Sequence, residues 1–261
     1  MSPLDFSKGL IATNSDFGLF LWKKMKTAIL IDGGFFIRRY KYIKGFDQND
    51  NPEIMAKNLV SYCFKHIQKV NSYRTRYNLP PTELYRIFYY DATPYDGDSH
   101  NPISNKQFSF KNTPQYKFRN QLFDELKKQR KIALRLGFLK NSSKEWVIRP
   151  RHTKALIKGK INISDLTVDD IEYPLNQKAV DMKVGLDIAT LAFKEQVGQI
   201  ILIAGDSDFV PAAKFARREG VDFILDPMLN YIDSTLHEHI DGLMTIKNMS
   251  YRDVIIESEE L

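Results

Sequence analysis

The feature of this 261-residue chain that most constrains its fold is a pair of short apolar runs that each lead into an acidic residue. Residues 28–31 (Ala-Ile-Leu-Ile) lead directly into Asp32, and residues 200–204 (Ile-Ile-Leu-Ile-Ala) lead through Gly205 into Asp206. Short runs without polar alternation are typical of central strands that are buried on both faces of a parallel sheet. If the two strands are neighbours, their carboxylates meet at the carboxyl edge, where open α/β sheets bind ligands.

Helical and strand patterns alternate along the rest of the chain. The predicted helices cover residues 52–77, 114–131, 177–196, 209–219 and 231–243. The other predicted strands cover residues 84–90, 132–139, 146–151 and 221–225. The polar stretch 93–115 predicts a long loop or lid, and residues 152–176 show no assignable pattern. This alternation predicts a three-layer α/β domain with a mostly parallel central sheet.

The first apolar strand also suggests the domain boundaries. We predict an N-terminal extension over residues 1–24, a domain over residues 25–245 with a basic insertion at about 96–176, and a C-terminal tail over residues 246–261. The extension contains four large apolar residues, so association into a homo-oligomer is left open: Phe17, Leu19, Leu21 and Trp22.

Composition and missing motifs exclude several classes of protein. A chain with 43% apolar and 12% aromatic residues can build a sizeable core. The single cysteine, Cys63, excludes an internal disulfide framework and a cysteine-rich zinc site, and it predicts a cytoplasmic protein. No run approaches the roughly 20 apolar residues of a membrane span, so no membrane association is expected. The chain lacks the glycine-rich dinucleotide motif, the phosphate-binding loop, the Gly-x-Ser-x-Gly elbow and a His-x-x-x-His pair.

Charge is distributed unevenly along the chain. Residues 101–160 carry 16 basic and 3 acidic residues, whereas residues 161–261 carry 8 basic and 19 acidic ones. This pattern predicts a basic surface for a polyanion beside an acidic cluster that holds cations, although a solvated insert facing acidic helices would explain it too. Aromatic residues alternate with cations here, as in proteins that bind single-stranded nucleic acid. The candidate nucleic-acid-binding residues are Lys106, Lys111, Lys117, Arg119, Lys127, Lys128, Arg130 and Lys131.

The acidic residues that follow the apolar strands are candidate ligands for Mg²⁺ or Mn²⁺, which prefer oxygen donors. Asp206 is hard to explain structurally, because a carboxylate packed behind a buried strand needs a partner. Asp208 has the alternative role of capping the helix that begins at Phe209. Asp32 has a weaker alternative, because Asp-Gly also starts ordinary turns.

Three motifs together resemble the LabA-like NYN domains, a family with the PIN-like nuclease fold. They are Asp32-Gly33-Gly34-Phe35, Lys178-Ala179-Val180-Asp181 with Asp187 six residues further on, and Ala204-Gly205-Asp206-Ser207-Asp208-Phe209. Their order and spacing match over residues 26–243. The resemblance implies a ribonuclease that uses Mg²⁺ or Mn²⁺ and acts on RNA, which we expect to be single-stranded.

The same resemblance implies roles for individual residues. Four aspartates form the implied catalytic and metal-binding set: Asp32, Asp181, Asp206 and Asp208. Asp187 fits this set less well, because six helical positions turn it about 240° away from Asp181. Ser207 is implied as a hydrogen-bond donor to phosphate or to a metal-bound water, or as a second helix cap. Phe35 occupies a position where many relatives have Asn, which removes one polar contact.

Two other functions remain open from the sequence. An RNA-binding module of the same fold that has lost cleavage would bind RNA without metal and would not turn it over. A phosphatase of the haloacid dehalogenase type would need a second Asp two residues after Asp32, where this chain has Gly34.

Overall fold

A computed structural model describes residues 25–141, 145–232 and 234–249 of the chain. The predicted extension, residues 1–24, and residues 250–261 of the predicted tail lie outside the described residues. No helix in the described part is both long enough and apolar enough to cross a membrane.

The described residues form a mostly parallel sheet of seven strands, which confirms the predicted central layer. Its strands are β1 (Lys26–Asp32), β2 (Glu83–Thr93), β5 (Ile132–Lys140), β8 (Asn176–Lys178), β9 (Gln199–Ile203), β10 (Asp222–Asp226) and β11 (Gly242–Leu243). Across the sheet they follow the order β11–β10–β9–β1–β2–β5–β8, and of these β8 runs antiparallel to its neighbour. Two antiparallel pairs lie outside the sheet: β3 (Asp98–His100) with β4 (Gln107–Ser109), and β6 (Val147–Ile148) with β7 (Ile171–Glu172).

Helices cover both faces of the sheet and complete the three layers. They are α1 (Gly33–Arg39), α2 (Pro52–Arg76), α3 (Pro114–Lys128), α4 (Pro150–Ile157), α5 (Val180–Phe193), α6 (Val210–Arg218) and α7 (Ser234–His237). Successive residues of β1 point to opposite faces. Ile29 and Ile31 therefore pack in the core with α2 and α3, whereas Ala28 and Leu30 pack in the core with α5 and α6.

Two predicted helices are wrong in part, because their ends join the sheet. The helix predicted over residues 177–196 begins at Val180: residues 176–178 pair with the end of β5, and Ala179 has a positive φ of 66°. The helix predicted over residues 231–243 is reduced to α7. The chain then returns to pair β11 with β10, and the Asp241 carboxylate accepts a hydrogen bond from the backbone N–H of Phe223 at 2.8 Å.

Three further expectations change locally. Asp32-Gly33 does not start an ordinary turn, because the Asp32 side chain caps helix α1 there. Of the strand predicted over 146–151, only β6 is extended, since Pro150 favours a helix start and α4 begins there. The predicted loop over residues 93–115 contains β3 and β4.

The basic segment 96–176 contributes to two parts of the molecule. Its helix α3 and strand β5 belong to the layered core. The two small antiparallel pairs lie outside the sheet and are joined through a cluster of five aromatic rings. These five rings, which we call the ring cluster, are Tyr95, Phe108, Phe110, Trp146 and Tyr173.

Candidate active site at the carboxyl edge of the sheet

The strand order reverses between β1 and β9, because the chain proceeds from β1 to β2 on one side and from β9 to β10 on the other. Such a reversal opens a crevice beyond the carboxyl ends of the two strands. Asp32 is the last residue of β1, and Asp206 lies three residues beyond the end of β9. The two strands are direct neighbours, as the sequence argument required.

Asp32 is held by the start of α1. One of its carboxylate oxygens accepts a hydrogen bond from the backbone N–H of Phe35 at 2.9 Å, which caps the helix. Burial raises the pKa of Asp32 above its usual value, and the carboxylate of Asp91 raises it further. The hydrogen bond from Phe35 and the Arg38 guanidinium act in the opposite direction on the same pKa.

Asp206 caps the short 3-10 turn formed by residues 207–209, because its side chain accepts a hydrogen bond from the backbone N–H of Asp208 at 3.0 Å. The idea that Asp208 or Ser207 caps the next helix is wrong. That helix begins at Val210, and its capping residue is Phe209, whose side chain has no hydrogen-bonding atom. Asp208 and Ser207 do not cap this helix, and both side chains are exposed at the edge of the sheet.

Asp181 interacts electrostatically with the other three predicted metal-binding aspartates. It lies in the first turn of α5 and is exposed. Partial burial raises its pKa first, and the carboxylates of three other residues raise it further. Those three residues are Asp32, Asp206 and Asp208. The charge of Asp181 therefore interacts with those of the other three predicted metal-binding aspartates at one edge of the sheet.

The chemistry of this cluster fits a hard divalent cation. In the described residues no three His, Cys, Asp or Glu side chains are arranged closely enough to hold a metal ion together. Asp32 and Asp206 each direct one oxygen to a backbone N–H. The donors are nevertheless all carboxylate oxygens that repel one another, and an ion such as Mg²⁺ or Mn²⁺ would relieve that repulsion.

A cleft of about 480 Å³ opens beside these acids and has a basic wall. Arg38 and Arg39 of α1 line it together with Asp32 and Asp206. The Arg39 guanidinium donates two hydrogen bonds to the backbone oxygen of Met228, at 3.1 and 3.0 Å, and lies 4.0 Å from the ring centre of Tyr42. Acidic and cationic groups facing one cleft suit a phosphodiester, whose oxygens bind both metal ions and guanidinium groups.

Gly205 is required by a close approach to Phe35. A Cβ atom at position 205 would lie 2.4 Å from Cε2 of the Phe35 ring, which is far inside normal contact. Phe35 is itself buried. The Phe35 ring thus packs directly against the turn that carries Asp206.

The structure separates Asp187 from the acidic cluster. Its carboxylate accepts hydrogen bonds from the Tyr90 hydroxyl and from Nε of Arg135, both at 2.8 Å. These contacts join α5 to β2 and β5. The helical geometry that turned Asp187 away from Asp181 anticipated this outcome.

Asp91, near the end of β2, is a residue of this edge that the sequence argument did not select. It is only 3% exposed and forms an ion pair with Arg119. It also accepts hydrogen bonds from the Tyr89 hydroxyl at 3.3 Å and from the Ala92 N–H at 2.8 Å. Burial raises the pKa of Asp91, and Arg119 opposes that rise. The sequence does contain a signal for Asp91, because this acidic residue follows an apolar run, as Asp32 does.

The predicted cationic residues fall into two groups, because α3 runs antiparallel to the strands it covers. Arg119 in its first half contacts Asp91 near the carboxyl end of β2, whereas Lys131 beyond its end donates to the backbone oxygen of Leu84 near the start of β2. The hairpin cations lie in the loop between β3 and β4, in the 3-10 turn after β4 and in the first half of α3; they are Lys106, Lys111, Lys117 and Arg119. The far-edge cations are Lys127, Lys128, Arg130 and Lys131. The structure therefore does not bring the far-edge cations to the acidic cluster.

Comparisons with known proteins identify the family of the chain. A protein of unknown function from Vibrio parahaemolyticus resembles the chain with a TM-score of 0.40 and 15% sequence identity, over 85% of this chain and 93% of that one. No curated protein matches the chain. Residues 26–231 match the NYN domain, a PIN-like nuclease family whose members generally use divalent metals. That match supports a nuclease or RNA-related role. Because it covers most of the sequence, the chain belongs to the NYN domain family.

Proposed function

We propose that this protein is a ribonuclease that cleaves RNA phosphodiester bonds with the help of Mg²⁺ or Mn²⁺. The observation that carries the proposal is the acidic group at the carboxyl edge: Asp32 and Asp206 line one cleft, and the charges of Asp32, Asp206 and Asp208 add to the rise in the pKa of Asp181 that burial causes first. Like charges gathered at one edge repel one another, and a bound cation would relieve that repulsion. The motifs favour the LabA-like branch of the family, and the single cysteine favours a cytoplasmic location.

The acidic and basic residues of the cleft would have different roles in such a reaction. Asp32 and Asp206 each keep one carboxylate oxygen that does not cap a helix, and with Asp181 and Asp208 they would hold the cation. A bound divalent cation supplies charge neutralisation for the phosphate and lowers the pKa of a water molecule. Arg38 lies on the wall where its guanidinium can bind a phosphate oxygen. These roles need no other cofactor.

The test is cleavage of an end-labelled single-stranded RNA by the full chain with Mg²⁺, with Mn²⁺ and with a chelator. We expect cleavage only with metal, and we expect Asp206→Asn to lose at least about a hundredfold in rate, in the range that removal of one electrostatic group costs an enzyme. Asn caps helices as well as Asp does, so this variant should remain folded. The matched control is Asp124→Asn, which removes an exposed carboxylate of α3 that pairs with Lys127 of the far-edge group.

Two results would contradict the proposal. The first is cleavage by Asp206→Asn at the rate of the unchanged protein. The second is tight RNA binding by the unchanged protein with no cleavage under any metal, which would identify an RNA-binding module of the same fold.

A further inference from the structure

A second cavity, of about 460 Å³, lies between the β3–β4 pair, the start of α3 and the end of β2. Its volume is typical of small-molecule sites, which combine apolar walls with a few polar groups. Four aromatic side chains line it, namely Tyr95, Phe108, Phe110 and Tyr116. Asp91 and Arg119, which form the ion pair described above, also line it.

The aromatic walls are held in place before any ligand binds. Phe110 packs against Phe108 with ring centres 4.9 Å apart and against Tyr95 at 5.1 Å. Behind them the indole N–H of Trp146 donates a hydrogen bond to the Ser99 hydroxyl at 2.9 Å, which ties the ring cluster to β3. A planar ligand that stacks on such preorganised rings loses little affinity to the ordering of side chains. Phe108 nevertheless remains 37% exposed, so part of its ring is available to a ligand.

The cavity lies next to the acidic cluster. Asp91 is part of its lining, and the charge of the same carboxylate raises the pKa of Asp32. The strand register agrees, because Asp32 pairs with Tyr90, the residue before Asp91. A strand whose phosphate lies in the acidic cleft can therefore extend a neighbouring nucleotide into the aromatic cavity.

The surroundings of the cavity are cationic, which argues for a nucleic acid rather than an apolar peptide. Lys111 and Lys117 are exposed on the segment that carries the aromatic walls. Lys106, the residue before β4, is exposed as well. Aromatic rings that receive bases and cations that follow the backbone are the combination by which proteins bind single strands without sequence preference.

We propose that this cavity is a nucleobase-binding subsite, in which one unpaired base of the RNA stacks on Phe108 and its neighbours. The inference rests on the proposed function for the identity of the ligand. It adds a substrate property, because the preferred substrate then has an unpaired base beside the cleaved bond. Duplex RNA, whose bases remain stacked on one another, is a poor ligand for this subsite.

The test is a fluorescence titration with a short single-stranded RNA in which one base is 2-aminopurine, a base whose emission falls when it stacks on an aromatic ring. The full chain carries Asp206→Asn, and the buffer contains a chelator, so that cleavage cannot occur. We expect binding to quench the emission. Phe108→Ala should weaken binding about tenfold and leave the emission of the bound RNA high, because one stacking contact is lost. The matched control is Tyr73→Ala, which removes an exposed ring of α2 and should change neither quantity.

The outcomes separate this inference from the proposed function. Quenching that depends on Phe108 supports the subsite even if the unchanged protein cleaves no RNA. No binding, binding without quenching, or unchanged affinity in Phe108→Ala would overturn the subsite even if cleavage is confirmed. Phe108→Tyr keeps a ring and should restore quenching, which shows that a loss in Phe108→Ala reflects stacking rather than misfolding.

Discussion

Gly205→Ala should destabilise the protein, because the added methyl group collides with Phe35. The new Cβ atom would lie 2.4 Å from Cε2 of the ring and 3.1 Å from Cδ2 and Cζ. Normal carbon contacts are about 3.5–4.0 Å, so the ring or the turn must move by roughly 1 Å. Phe35 is buried and cannot move freely. Overpacking of this kind costs about 1–3 kcal/mol, and we expect about 2–3 kcal/mol here.

The assay is urea unfolding, together with thermal unfolding. For a protein of this size, about 2–3 kcal/mol corresponds to a fall of roughly 5–10 °C in the unfolding midpoint. The matched control is Gly185→Ala in the middle of α5, where a Cβ atom would meet no atom within 4 Å. Alanine is favoured over glycine in a helix, so this control should gain up to about 1 kcal/mol.

A double-mutant cycle identifies the colliding group. Phe35→Leu removes the ring atom that Cβ would meet, so its combination with Gly205→Ala should cost at least about 1 kcal/mol less than the sum of the single changes. Gly205→Ala would refute the reasoning if it unfolded at the midpoint of the unchanged protein. Additive costs in the cycle would show that the collision is not with Phe35.

Other predictions concern charge and the core. In a buffer with a chelator, Asp181→Asn should stabilise the folded protein at pH 7 by about 0.5 kcal/mol after solvent screening. Because the pKa of Asp181 is raised, its carboxylate costs stability only as the pH rises past the unfolded pKa, so the gain should vanish in urea titrations below pH about 3.9. Replacing Lys111 and Lys117 by Gln should reduce the slope of log K for single-stranded RNA against log salt by about 1.4. The same replacement of Lys127 and Lys128 in the far-edge group should leave the slope unchanged. Tyr62→Phe removes a 2.6 Å hydrogen bond to the buried Asp226 and should cost about 1–2 kcal/mol in urea unfolding, without changing the cleavage rate.

Burial on both faces made the central strands predictable, since residues 28–31 of β1 and 200–203 of β9 are all apolar, without the polar alternation that a solvated face would require. The acids at their ends were predictable for the same reason, because the carboxyl edge follows from the strand direction. Asp91 carries the same signal but lies inside a longer strand, since β2 continues to Thr93. Its partner Arg119 comes from a different layer, so the ion pair could not be inferred from local sequence.

The errors arise where pairing partners are distant in the sequence. Residues 177 and 178 are part of a predicted helix, yet they belong to β8, which pairs with the end of β5 more than 30 residues earlier in the chain. The far-edge cations show a related limit. Periodicity predicts that α3 is a helix, but only the packed topology shows which half of it lies near the acids. Charge counts identify the segment that carries the basic residues, but they do not show where these residues lie relative to the cleft.

The most direct test of the central claim is to locate Mn²⁺ by anomalous diffraction in crystals of the full chain. The account predicts a peak between the carboxylates of Asp32 and Asp206, within reach of Asp181 or Asp208, and no such peak in crystals of Asp206→Asn. An edge without Mn²⁺ at concentrations that support RNA cleavage, or Mn²⁺ bound elsewhere in the molecule, would contradict it.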